Sequence, residues 1–185
     1  MPKSTRILTS LARVRGTTLL ELMASLGIVA VVLGMATPSF ATLIERNRTT
    51  TVANRLIADL ARTRSEAITT HTRTVFCPSA DARTCAAGSN FTFGWIGFQD
   101  RDGDAQADAG EKVFAVAQAS DMAGRRVATT AGRRALRFRA DGRNAGTNLT
   151  LRVCDASGVP QRLVIVNVGG RARVAPAPPS TASCP

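Results

Sequence analysis

The sequence is poor in the residues on which enzyme active sites usually depend. It contains one histidine, His71, and no tyrosine, and no nucleophile stands at a useful spacing from a general base. We therefore expect a protein without enzymatic activity and without a cofactor. His71 falls where a predicted helix ends, and a cation there is favoured by the helix dipole, which is typical of a capping or surface residue.

Lysine and aromatic residues are scarce as well. After residue 16, Lys112 is the only lysine, yet that part of the chain has a net charge of +7 because arginine is abundant. Residues 121–185 alone hold eleven Arg and three Asp. A GC-rich genome explains the choice of arginine but not this clustering, and arginine binds phosphates in bidentate fashion, so the basic half indicates a polyanionic partner. The chain has only one Trp and seven Phe. If the polyanion is a nucleic acid, base stacking should contribute little to its binding, and double strands should suffice for binding.

A long apolar run, Leu19 to Ala36, contains a single carboxylate, Glu21. A bilayer span needs about 20 residues, and a carboxylate within one is costly, so Glu21 should have a partner. The preceding leader carries four cations and no acid: Lys3, Arg6, Arg13 and Arg15. Basic flanks stay cytoplasmic, so the C-terminal body is expected to be exported. An ordinary secretory signal is cleaved after its apolar core. The candidate cleavage site here, Gly16–Thr17, lies before the apolar run.

This arrangement resembles the type III signal and N-terminal helix of type IV pilins and pseudopilins. Glu21 falls at the fifth mature position and Pro38 at the twenty-second, whereas Thr17 departs from the usual Phe. The resemblance implies that a prepilin peptidase cuts after Gly16, that the amine of Thr17 is methylated, and that Glu21 pairs with a neighbouring subunit. It also implies a single-pass inner-membrane protein with a periplasmic domain, assembled with other pilin subunits. The alternative is a plain membrane anchor.

Beyond Pro38 the pattern changes from helix to strand. Apolar residues at helical spacing predict an amphipathic helix with one buried stripe that ends near His71; they are Ala53, Leu56, Ile57, Leu60 and Ala61. Period-two alternation, separated by turn pairs such as Asp102-Gly103, predicts strands within residues 91–98, 136–139 and 149–153. Residues 112–117 are a further predicted strand, and the segment 163–168, which is apolar except for Asn167, predicts a central strand. The fold class is therefore α+β, with a long N-terminal helix (membrane half plus amphipathic half) packed on antiparallel sheet.

Four segments follow from these patterns. They are a leader (1–16), a membrane and assembly helix (17–38), one periplasmic globular domain (39–175) and a Pro-rich tail (176–185). An even number of cysteines in an exported domain favours disulfides, and no Cys-x-x-Cys pair suggests a metal site. Three pairings are possible; proximity favours Cys77–Cys85 and Cys154–Cys184, and the second would hold the tail.

The acidic segment 100–111 matches part of a calcium-binding loop. Acids or amides stand at motif positions 1, 3, 5, 7, 9 and 12, namely Asp100, Asp102, Asp104, Gln106, Asp108 and Glu111. Position 6 requires glycine for a sharp turn, and this chain has Ala105 there. We interpret the segment as a solvated hairpin loop and expect no metal, with calcium binding as the alternative.

Residues 169–174 read Gly-Gly-Arg-Ala-Arg-Val after an apolar strand. If they are extended, Arg171 and Arg173 lie on one side, about 7 Å apart, which matches successive phosphates of one DNA strand. Glycine would let the backbone approach the ligand closely. The alternative is two solvated arginines near the chain terminus.

Beyond the pilin helix, the chain resembles the FimT/GspH group of minor pilins and pseudopilins from Gly16 to about Val174. The resemblance is carried by Cys77-Pro78-Ser79 with Cys85, residues 94–100 with the hairpin to Glu111, Phe138 with Asp141-Gly142-Arg143, and Gly170-Arg171-Ala172-Arg173. Resemblance to FimT implies a DNA receptor of the type IV pilus in natural transformation.

The Gly-Arg-x-Arg motif of that group is implicated in DNA binding, which points to Gly170, Arg171 and Arg173. The basic half adds weaker candidates, namely Arg143, Arg134 and Arg133. GspH members are structural subunits of the type II secretion pseudopilus, and that alternative has no nucleic-acid role. The intact motif and the basic C-terminal half favour the FimT interpretation.

Overall fold

The structure, a computed structural model, describes residues 16–130 and 133–185, except for the side chains of 35–39 and 41–42. The predicted leader therefore lies outside the described residues apart from Gly16. The chain divides into two units, Met1–Ala41 and Thr42–Pro185. Among the described residues no helix is both long and apolar enough to cross a membrane, so the span over 17–38 stays a prediction.

Helix α1 extends over Leu19–Thr70. At its start the hydroxyl of Thr18 accepts the Glu21 N–H (3.3 Å), and Thr-x-x-Glu is a typical helix N-terminus. At its end His71 has a φ of 51° and is exposed. The helix therefore ends where the sequence predicts.

The described residues contain eight strands in two four-stranded antiparallel sheets. The strands are β1 (Thr74–Pro78), β2 (Gly94–Gln99), β3 (Val113–Gln118), β4 (Arg126–Thr129), β5 (Leu136–Phe138), β6 (Leu149–Cys154), β7 (Pro160–Val166) and β8 (Ala172–Pro176). Sheet 1 has the order β3-β2-β1-β5 and sheet 2 the order β4-β6-β7-β8. The α+β class is confirmed.

The core forms where the second half of α1 meets the inner faces of both sheets. Leu56 and Leu60 from the helix are buried in one cluster with Phe76 and Trp95 of sheet 1 and with residues of sheet 2 such as Val164. The predicted stripe is only partly right, because Ile57 is half-buried and Ala61 is exposed. Both of these residues line a groove beside β8, and Ile57 also packs against the core cluster.

Residues 91–93, predicted as strand, form a turn. The N–H of Gly94 donates to the carbonyl of Phe91 (3.1 Å), and Phe93 is 59% exposed. The reason is that Phe91 instead donates its N–H to Val127 of β4 (2.8 Å), which draws the chain away from the β2 ladder. The strand predicted over 163–168 starts three residues earlier and ends at Val166.

Both predicted disulfides form. The Cα atoms of Cys77 and Cys85 are 5.6 Å apart, and those of Cys154 and Cys184 are 6.2 Å apart. Cys184 is buried with Ala128 and Cys154, so the second disulfide fixes the C-terminal tail against sheet 2.

Candidate nucleic-acid interface

Asn167 organises the tight turn between β7 and β8. Its carbonyl accepts the N–H of Gly170 (2.9 Å) and its side-chain Oδ1 accepts the N–H of Arg171 (2.9 Å). Gly170 has a φ of +78°, a left-handed conformation that glycine adopts without steric cost. The turn therefore places Arg171 directly before β8 and Arg173 inside it.

Arg171 and Arg173 share one side of the strand. Ala172 packs against the core, and successive side chains alternate across a strand, so the two arginines point away from the core. Both are exposed. Their spacing of about 7 Å, from the rise per residue of a strand, suits neighbouring phosphates of one DNA strand.

A second turn lies against this hairpin. In it the N–H of Gly142 donates to the carbonyl of Arg139 (2.8 Å), and the N–H of Arg139 donates to the carbonyl of Arg143 (2.9 Å). The N–H of Asn144 then donates to the carbonyl of Val168 (3.0 Å), which joins the two loops. The structure thus brings Arg139 and Arg143, both exposed, next to the β7–β8 turn.

Arg64 of helix α1 connects the two turns, and it is not among the arginines predicted from the sequence motif or the basic half. Its Nε donates to the carbonyl of Gly142 (2.9 Å). A Cβ on Gly170 would lie 2.9 Å from the same Nε, and one on Gly142 would lie 3.3 Å from it. Gly170 therefore leaves room for this guanidinium, whereas a Cβ on Gly142 would first meet Cδ1 of Ile68, at 2.5 Å. The spacing of four residues between Arg64 and buried Leu60 is the signal that could have placed Arg64 beside the stripe.

We call Arg64, Arg139, Arg143, Arg171 and Arg173 the arginine cluster. Among the described residues, none of the five takes part in an ion pair. One acid belongs to the same loops, Asp141, whose Oδ1 accepts the N–H of Arg143 (2.9 Å). The cluster is therefore a surface with unpaired positive charge.

The other two predicted arginines are placed differently. The guanidinium of Arg133 donates to the carbonyl of Thr147 (3.1 Å), so it already supports a loop. Arg134 lines a separate cavity of about 480 Å³ together with Arg137, Asp104 and the Cys77–Cys85 disulfide. The structure does not bring either side chain together with Arg171.

A groove of about 400 Å³ separates helix α1 from the start of β8. Five helix residues and three hairpin residues line it: Ile57, Ala61, Arg64, Ser65, Ile68, Gly170, Arg171 and Ala172. None of these described lining residues is acidic. The groove thus has an apolar floor with two arginines beside it.

The carboxylates of the acidic loop (100–111) mainly accept hydrogen bonds from backbone N–H groups of the same loop. Oδ1 of Asp100 accepts the N–H of Gly103 (2.8 Å), and a carboxylate oxygen of Glu111 accepts the N–H of Arg101 (2.7 Å). Ala105, at motif position 6, has a φ of +64°. Asp100, Asp102 and Asp104 offer oxygens within 4.8 Å of one another. These hydrogen bonds are what the hairpin interpretation requires, and calcium binding stays the alternative.

The fold, an N-terminal helical part packed on two antiparallel sheets, is similar to that of the crystal structure of the type IV minor pilin FimU from Pseudomonas aeruginosa PAO1. FimU is 20% identical, with a TM-score of 0.55 over 77% of this chain and 98% of its own. The minor pseudopilin EpsH from the type 2 secretion system of Vibrio cholerae is 14% identical, with a TM-score of 0.45 over 72% of this chain and 99% of its own.

The family model described as type II transport protein GspH matches residues 52–170, and the chain belongs to that family. The family consists of structural pilin and pseudopilin proteins. No curated protein sequence matches the chain significantly.

Proposed function

We propose that this chain is a minor type IV pilin that binds double-stranded DNA without sequence specificity, for DNA uptake in natural transformation. The arginine cluster carries the proposal, because its charges have no acidic partner within the described residues. Arg171 and Arg173 lie at its centre, and Arg143 lies on the adjoining turn. Arg133 and Arg134 would contribute only to the long-range field.

Contacts to phosphates account for such binding better than contacts to bases. Six of the aromatic side chains are buried, namely Phe76, Phe91, Trp95, Phe98, Phe114 and Phe138, and no aromatic residue lines the described groove. Base stacking then has no platform in the cluster. Each phosphate contact releases a condensed counterion, so affinity should fall steeply with salt and depend little on sequence.

The decisive experiment is a titration of two unrelated fluorescent duplexes with the full chain in non-ionic detergent, at several salt concentrations. The double variant Arg171→Ala, Arg173→Ala should bind more weakly, and its log–log salt slope should fall by about 2. A matched control, Arg83→Ala with Arg101→Ala, removes the same charge from two exposed side chains outside the cluster and should keep the wild-type slope. Equal binding by a folded double variant would remove the motif from the mechanism.

A second function is favoured by the description of the matching family, type II transport protein GspH. On that alternative the chain is a structural minor pseudopilin of a type II secretion system and the arginine cluster is a solvated face. The same titration separates the two: a wild-type chain that binds neither duplex at low salt supports the secretion function.

The N-terminal part of the proposal concerns assembly. We infer cleavage after Gly16 by a prepilin peptidase, methylation of Thr17, and pairing of Glu21 with the N-terminal amine of a neighbouring subunit. Residues 17–38 would then hold the protein in the inner membrane, with the globular domain in the periplasm. Gly16 and Thr17 are exposed and precede the helix, which suits a substrate of a peptidase.

A further inference from the structure

We propose that Arg64 binds one phosphate of the DNA backbone inside the groove between helix α1 and β8, together with the backbone N–H of Ala172. The inference rests on the proposed function and adds to it a phosphate site on the helix, outside the Gly-Arg-x-Arg motif. A half-buried arginine and an open strand edge meet there without an acidic neighbour among the lining residues.

Most hydrogen-bonding capacity of Arg64 is unused. A guanidinium has five N–H donors, and the protein engages one of them, Nε, through the carbonyl of Gly142. That bond fixes the side chain and leaves both terminal nitrogens without a partner in the described part of the chain. An anchored guanidinium with free terminal N–H groups is suited to bidentate binding of a phosphate.

The edge of β8 supplies the second donor. Asn167 donates its N–H to Arg171, and Ala177 donates its N–H to Gln161, so these are hydrogen-bonded pairs of the β7–β8 ladder. Such pairs alternate along an antiparallel ladder, which makes Val166 and Ala172 a non-hydrogen-bonded pair. The N–H of Ala172 therefore points to the open edge, where the structure describes no further strand.

The rest of the groove suits a nucleotide backbone. Ser65 is exposed beside Arg64, and its hydroxyl has no hydrogen bond within the described residues. Ile57, Ala61 and Ile68 provide an apolar floor against which a deoxyribose can pack. Arg171 at the rim would hold the next phosphate, so the groove and the exposed strand face would follow one DNA strand.

Glycine at position 170 gains a second explanation from this site. A Cβ there would lie 2.9 Å from Nε and 3.1 Å from Cδ of Arg64, and would displace the side chain. The first residue of the Gly-Arg-x-Arg sequence thus makes room for an arginine of the helix as well as forming the turn.

The test compares Arg64→Gln and Arg64→Lys with matched variants at Arg62. Arg62 lies two residues away on the same helix, is exposed and has no polar partner in the described chain. The full chain in non-ionic detergent is titrated against a fluorescent duplex at several salt concentrations. Arg64→Gln should bind about tenfold more weakly, with a salt slope lower by about 1, whereas Arg62→Gln should keep the wild-type slope.

Thermal unfolding shows which variants are folded. If Arg64→Gln does not fold, Arg64→Lys tests the site, since lysine keeps the positive charge but lacks the planar fork of N–H donors that binds a phosphate in bidentate fashion. Weaker binding by Arg64→Lys than by Arg62→Lys supports the site, and equal binding overturns it. For a folded Arg64→Gln, a slope and affinity equal to those of Arg62→Gln overturn the inference and leave the proposed function standing. A wild-type chain that binds no duplex overturns both.

Discussion

Gly170 lies between two neighbours that leave no room for a side chain. The first constraint on this residue is its φ of +78°. The second is steric, because a Cβ would meet both Arg64 and the carbonyl of Gly142. Gly169, the preceding residue, has neither constraint, because a Cβ there would meet only the Asn167 side chain, at 3.3 Å. The two adjacent glycines therefore form a natural matched pair.

We expect Gly170→Ala to lower the free energy of unfolding by at least about 1–3 kcal/mol, from left-handed strain, the clash of the new Cβ with the carbonyl of Gly142 and displacement of Arg64. Gly169→Ala should change it by less than about 1 kcal/mol, since its Cβ would meet only the Asn167 side chain, at 3.3 Å, and alanine also restricts the unfolded chain. Denaturant unfolding of both variants measures the difference. Equal stability of the two variants would contradict the geometry of the turn.

Some arginines that the sequence counts as basic surface are not available to a ligand. Arg125 is 2% exposed, and its guanidinium forms an ion pair with Glu45 of helix α1. The hydrogen bond from Arg125 is the main reason that the pKa of Glu45 lies below its ordinary value. Counting charges in residues 121–185 therefore overstates the binding surface, because tertiary pairing cannot be read from composition.

At the scale of elements, the two disulfides close loops of different length. Cys77 and Cys85 are 8 residues apart, whereas Cys154 and Cys184 are 30 residues apart. The longer one also holds the tail, whose Cys184 N–H donates to the carbonyl of Gly158 in the β6–β7 turn (3.0 Å). Arg152 adds a bond to the carbonyl of Ala182 (2.9 Å).

Replacing each pair by serine should separate these contributions. The chain-entropy relation gives a loss of about 2.5 kcal/mol for Cys77–Cys85 and about 3.6 kcal/mol for Cys154–Cys184. The second variant should lose more, because its loop is longer and its tail is released. Denaturant unfolding of the two double-serine variants provides the comparison, and a larger loss for the shorter loop would show that local packing outweighs loop closure.

The β6–β7 turn beneath the tail is itself organised by one carboxylate. Burial, the largest single effect, raises the pKa of Asp155, but hydrogen bonds from Ser157, Val159 and Gln161 together lower it below its ordinary value. A carboxyl group with a lowered folded-state pKa stabilises the fold above the unfolded pKa and loses that contribution as pH falls through the folded pKa. The contribution of Asp155 to the stability of this turn should therefore be lost only at acid pH.

Sequence patterns predicted elements better than they predicted contacts. Alternation found most of β5 and β6, a continuous apolar run found most of β7, and the apolar spacing found the end of α1, because these signals are local. The strand predicted within 91–98 was right from Gly94 onward but wrong over 91–93, since the backbone of Phe91 pairs with Val127 far along the chain. Arg64 was missed for the same reason: its partner, Gly142, is 78 residues away.

At the scale of the whole molecule, the charge is unevenly distributed. The full chain has a net charge of +11, and the acidic loop around Asp100 carries much of the negative charge. The arginine cluster is built from three parts of the chain, namely helix α1, the Arg139–Arg143 turn and the β7–β8 hairpin. A basic surface of this kind raises the local concentration of a polyanion, and raises the association rate most at low salt.

The N-terminus tests the assembly proposal for the whole molecule. Mass spectrometry of protein from the assembled fraction should show a chain that starts at methylated Thr17. Gly16→Val should abolish processing by the peptidase. The substitution should impair recognition by the peptidase rather than the fold, because a Cβ at Gly16 meets no atom within 4 Å. Ser4→Val, a control within the leader, should be processed as wild type. Assembled wild-type protein that still carries residues 1–16 would contradict the proposal.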